Sequence, residues 1–106
     1  MAGKSVINIL QDYLSLLQSE GIKIEKAFLY GSYLNDTESS ESDIDLMVVS
    51  QQFDNADDLL IGKVWALTKK VNSRIEPFIV GIKKFETDDV SPIIQIVKKE
   101  GLEITC

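Results

Sequence analysis

The sequence predicts an α/β fold in which a small mixed β-sheet is flanked by helices. Two apolar patterns alternate along the chain. Stripes at three- and four-residue spacing mark helices, and short continuous apolar runs mark buried strands. Their order, helix–strand–loop–strand–helix–strand–helix, fits a layered sandwich with one core, its sheet covered mainly on one side. With 106 residues, 44% of them hydrophobic, one ordinary domain over residues 1–106 is expected.

Residues 5–20 place Val6, Ile9, Leu10, Tyr13, Leu16 and Leu17 on one face of an amphipathic helix, and Gly21 supplies its stop. KAFLY, residues 26–30, is short, apolar and ended by Gly31, so it reads as a buried strand. YLNDTESSES, 33–42, is polar and aperiodic, which predicts a loop with room for one short helical turn. DIDLMVV, 43–49, is the second strand. Asn55 is the expected cap of a helix beginning near Ala56. The helix dipole favours Asp57 and Asp58 in its first turn and Lys69 and Lys70 near its end. Leu60, Val64, Leu67 and Val71 form the inner face of that helix, and the lone Trp65 is expected in core packing rather than on a partner surface.

RIEPFIV, 74–80, is the third strand. Pro77 has no N–H to give a ladder, so this strand belongs at an edge or carries a bulge. Ser91 and Pro92 open a last helix that runs through Glu100 and stops at Gly101, and LEIT, 102–105, reads as a small final strand.

Composition removes several function classes. A net charge of −6 and a pI near 4.5 repel polyanions, so direct nucleic-acid binding is not expected. The sole cysteine, Cys106, excludes an internal disulfide and a zinc ligand set, and it suits a reducing compartment. The first residues are interrupted by Asn8, Gln11 and Asp12 and fall short of the roughly 18 apolar residues of a membrane span. A cytoplasmic protein without a membrane partner is the expectation. There is no histidine, which excludes an imidazole base or a histidine-ligated metal within this chain.

Carboxylates therefore carry the candidate chemistry. Side chains two apart on a strand share a face, so Asp43 and Asp45 stand roughly 6–7 Å apart along one side. Two such groups repel, and a divalent cation keeps both ionised; all-oxygen ligands suit Mg²⁺ or Mn²⁺. Alone, an Asp-x-Asp at a strand end is common in solvated turns. Gly31 and Ser32 add to it: a glycine directly after a strand lets backbone approach a phosphate, and the serine offers a hydroxyl.

Gly31-Ser32, ten residues, then Asp43-Ile44-Asp45 with Ser42 before the first aspartate resembles the signature of the DNA polymerase β-like nucleotidyltransferase superfamily. The loop length resembles that of its small single-domain branch, the minimal nucleotidyltransferases. Glu76 in RIEPFIV stands where the family has its third carboxylate, and IIQIVKKEGLEI resembles the closing helix and strand, so the likeness runs from Phe28 to Ile104. The resemblance implies a single-domain polymerase β-like fold. It also implies two Mg²⁺ ions, or Mn²⁺, held by Asp43, Asp45 and Glu76, with Gly31, Ser32 and Ser42 contacting the phosphates of ATP. Minimal nucleotidyltransferases that the chain resembles are typically partnered with a HEPN-domain RNase toxin, and the resemblance implies an antitoxin that transfers AMP from ATP to a tyrosine of that partner. Homo- and hetero-oligomers both remain open.

The loop departs from relatives that carry a basic residue after Gly-Ser: 33–42 has no Lys or Arg. Lys63 and Lys69 are the candidates to reach the phosphates from another side, although surface lysines are ordinarily just solvated. The departure also supports an alternative, a catalytically weak or inactive module that neutralises its partner by binding. An antibiotic-modifying transferase is a weaker alternative, since such enzymes usually carry a further helical domain.

Overall fold

β2 (Ile44–Ser50) owes its inner position to its composition: of its seven residues only Asp45 is not fully buried. On one side it pairs antiparallel with β1 (Lys26–Tyr30), which in turn pairs antiparallel with β4 (Leu102–Glu103). On the other side it pairs in parallel with β3 (Ile75–Gly81), giving the order β3-β2-β1-β4. The sheet is mixed, and β3, with Pro77, forms its edge. This computed structural model describes residues 4–31 and 43–105. Ser32, Ser42 and the loop between them lie outside the described residues.

The remaining elements are α1 (Lys4–Ser19), a 3₁₀ turn (Gln51–Asn55), α2 (Asp58–Thr68), α3 (Ile82–Thr87) and α4 (Pro92–Glu100). A parallel β2–β3 pair needs a crossover, and the 3₁₀ turn with α2 supplies it. Strand alternation then splits the apolar residues between two faces. Ala27, Leu29, Ile44, Leu46, Val48 and Ile75 pack under α1 and α2, where the buried Tyr13 hydroxyl donates to the Val64 carbonyl at 2.7 Å. Phe28, Met47, Val49 and Val80 pack under Phe85 of α3 and Ile94 and Val97 of α4.

The sheet is thus covered on both faces, not mainly on one. The difference comes from α3, which the sequence does not announce. It follows β3 directly through Gly81, and its six residues bury one side chain, Phe85, which stacks on Phe28 at 5.4 Å.

Two boundaries also move. Residues 51–55 wind as 3₁₀ helix: the Gln51 N–H donates to the Glu25 carboxylate, and the Ser50 hydroxyl accepts from the Gln52 N–H at 3.1 Å. The cap of α2 is Asp57 rather than Asn55: Oδ1 accepts from the Leu60 N–H at 2.9 Å. The final strand is two residues long, ending at Glu103. Trp65 is 43% exposed and does not join the core. No helix among the described residues is long and apolar enough to cross a membrane.

Candidate functional site

Strand register brings three polar side chains into one row. Tyr30 of β1 pairs with Asp45 of β2, and Asp45 pairs with Glu76 of β3. Alternation points all three to the α3–α4 side of the sheet, the same side as Phe28, Met47 and Val80. Asp43 lies one step beyond on that face. The Ile44 N–H donates to the Arg74 carbonyl at 2.8 Å, which extends the pairing and sets Arg74 beside Asp43. Asp43, Asp45 and Glu76 are therefore neighbours on adjacent strands, at the end of the face where the apolar rows stop.

Gly31 shapes this end from β1. Its φ is +82°, a conformation disfavoured for residues with a side chain. An added Cβ would also run into Oδ2 of Asp45, with Cγ at 3.2 Å. The glycine makes room for Asp45 as well as turning the chain.

The carboxyls perturb one another. Burial, then repulsion from Asp43, raises the pKa of Asp45. A hydrogen bond with the Asp43 carboxyl, then burial, then the charges of Asp43 and Asp45 raise that of Glu76. Tyr30, pushed up to about 12 by burial and by the charges of Asp45 and Glu76, stays a protonated phenol. All these shifts oppose negative charge, and a cation beside these groups would offset it. The donor chemistry, carboxylate oxygens alone, fits a hard divalent ion such as Mg²⁺ or Mn²⁺. Among the described residues no three Asp, Glu, His or Cys side chains already converge as a ligand cluster. Asp43 and Glu76 hold each other, while Asp45 lies against Gly31.

An open cleft of about 600 Å³ leads from Asp43 and Glu76 past Ser73 to Trp65, Ala66 and Lys69 of α2. Of the two lysines suggested by the sequence, Lys69 lines this cleft. Lys63 is turned away: its Nζ lies 3.3 Å from Oε1 of Glu20 and donates to the Glu20 carbonyl at 3.2 Å. Tyr30 was not legible as a site neighbour from motif spacing. The signal was its place two residues after Phe28 in KAFLY, which sets both on one face.

Residues 6–104 match the family model for polymerase beta nucleotidyltransferases. Among solved structures, the chain is similar to a toxin–antitoxin crystal structure with AMP-PNP, with a TM-score of 0.63 and 23% identity over 93% of this chain and 72% of the other. It is also similar to a protein from Sulfolobus solfataricus described as a candidate nucleotidyltransferase, with a TM-score of 0.60 and 14% identity over 95% of this chain and 86% of the other. At these identities the two structures speak for the fold. No curated protein matches the chain.

Proposed function

The chain belongs to the polymerase β nucleotidyltransferase family, and from that premise we propose that it transfers AMP from ATP to a hydroxyl of a partner protein, acting as the antitoxin of a HEPN-type RNase toxin. The observation that carries the transferase reading is the position of Asp43, Asp45 and Glu76 on one face of adjacent strands, with Gly31 at the end of the next strand. The partner reading is supported by the likeness to the toxin–antitoxin structure and by an acidic surface that offers no grip to nucleic acid.

In this reading Asp43, Asp45 and Glu76 hold divalent metal. When bound, the metal neutralises charge on the transferred phosphoryl group and lowers the pKa of the attacking hydroxyl. The residues of the chain do the rest. Gly31 brings backbone close to the phosphates, Ser32 and Ser42 add hydroxyls, and Lys69 offers the positive charge that the 33–42 loop lacks. No histidine is needed in such a scheme.

The test is direct. The purified protein is incubated with Mg²⁺, α-labelled ATP and the product of the neighbouring gene, beside Asp43→Ala and Asp45→Ala variants. Label is expected on the partner with the unaltered protein and on neither variant reaction. A tight complex without label favours the second reading, a binding module without catalysis, for which the absence of Lys and Arg from 33–42 is the supporting observation.

A further inference from the structure

The geometry points to a docking groove between the outer side of α2 and the open edge of β3, shaped for an amphipathic helix of the acceptor protein that is apolar along one face and basic at its flanks. The inference rests on the reading above that the acceptor is a protein.

α2 is apolar on both sides. Val64 and Leu67 are buried against the sheet, yet on the side that faces the groove Trp65 is 43% and Ile61 36% exposed. A helix that is apolar all round is ordinarily covered all round. Across from it on β3, Phe78 is 40% exposed. Between them lies a cleft of about 470 Å³ walled by Phe53, Ile61, Trp65, Pro77 and Phe78. Trp65 also lines the cleft that holds Asp43 and Glu76, so an occupant of the apolar groove sits beside the acidic cluster. That juxtaposition is what an acceptor needs: anchoring at one end and a hydroxyl delivered at the other.

Three observations choose the occupant. Pro77, in the middle of the edge strand, has no N–H, so a partner strand cannot extend the ladder continuously. A second copy would bring the same acids to the same place: Asp54 lines the groove, Asp57 and Asp58 open α2, and each chain carries −6. Like charges at an interface oppose pairing, whereas basic flanks complement them. Apolar side chains at helical spacing fill such a groove without needing main-chain partners.

Trp65 is the only tryptophan, so its emission reports on the groove. The probes are a short helical peptide of leucine and lysine at amphipathic spacing and its leucine–glutamate counterpart. The lysine peptide is expected to blue-shift the emission saturably and the glutamate peptide to leave it unchanged. Ile61→Asp should weaken binding at least about tenfold, the scale of losing one apolar anchor. Phe78→Asp, at a groove-lining position on the edge strand that is 40% exposed, should weaken it in the same direction. Both variants add negative charge, so unspecific attraction would rise where docking falls. Equal or tighter binding by both overturns the inference, as does equal response to the two peptides. A dimer of the free protein that Ile61→Asp splits overturns it in favour of a second copy. Docking read from Trp65 needs neither Mg²⁺ nor ATP, whereas transfer needs both, which separates a failure of docking from a failure of transfer.

Discussion

The two ends of one sheet face are built from the same strands and serve opposite purposes. At one end Phe28 and Met47 pair across β1 and β2, Val49 pairs with Val80, and Phe85, Ile94 and Val97 close over them. At the other end the next row is Tyr30, Asp45 and Glu76, with Asp43 beyond it. Alternation alone gives both ends the same direction. What separates them is cover: α3 and α4 bury the apolar rows, apart from Phe78 on the edge strand, and leave the acidic ones open to solvent or ligand. Burying an unpaired carboxylate costs several kcal/mol, so the charges sit where the covering helices stop.

The largest expected effect tests the covered end. Phe85→Ala removes the ring that stacks on Phe28 and lies 5.0 Å beneath Nζ of Lys98, and should cost about 3–5 kcal/mol in denaturant unfolding. At temperatures where the variant is folded, its transferase activity should remain. An equal loss of activity would mean that the two ends are coupled.

Next comes the open end. Asp45→Ala should lower nucleotidyl transfer by at least about 100-fold, more than is usual for residues that only support a metal ligand. Its unfolding midpoint should equal or exceed that of the unaltered protein, because a repelling charge has been removed from beside Asp43. A clear loss of stability would show that Asp45 holds the fold together and would break the division between the ends.

A pair of glycines sharpens the point. Gly21 and Gly31 have nearly the same backbone, φ +85° and +82°. A Cβ on Gly21 meets nothing within 4 Å, whereas on Gly31 it meets Asp45. Both alanine substitutions carry the conformational cost of about 1–2 kcal/mol. Only Gly31→Ala should also lose transferase activity.

How far the sequence reveals this arrangement follows the same division. β1, β2 and β3 are legible because continuous apolar runs and punctuating glycines leave few alternatives, and Pro77 names the edge. Asp43, Asp45 and Glu76 are legible because a period of two survives folding. α3 is not: IKKFET has one buried side chain and no repeat, and its place is fixed only by Phe85 meeting Phe28 across the sheet. Trp65 misleads for a related reason. Helical spacing puts Val64 and Leu67 inside, but it gives no sign that Ile61 and Trp65 of the same helix face outward. The start of α2 shifts from Asn55 to Asp57 because either side chain can cap, and the 3₁₀ turn before it decides between them.

The smallest effect, and the one most specific to the open end, is on pH dependence. Asp88, before α4, accepts hydrogen bonds from the Val90 N–H at 2.8 Å, the Ser91 N–H at 2.9 Å and the Ser91 hydroxyl at 2.7 Å, and they hold its pKa down at about 2. Its folded-state pKa lies below the ordinary 3.8, so its contribution to stability is present above 3.8 and is lost as pH falls towards about 2. Asp45 and Glu76 have the opposite sign. Their folded-state pKa values lie above the ordinary 3.8 and 4.5, so the folded chain keeps protons that the unfolded chain has released. Stability from these two is greatest below their ordinary values and falls as pH rises through the raised ones. Unfolding of the metal-free protein, followed from about pH 2 to 8, should show this upper decline, and Asp45→Asn or Glu76→Gln should each reduce it. Saturating Mg²⁺ should flatten it by binding the ionised carboxylates, while leaving the lower limb set by Asp88 where it was. A decline that neither the substitutions nor Mg²⁺ alter would show that these acids do not act together, and the face would then have one end with a purpose and not two.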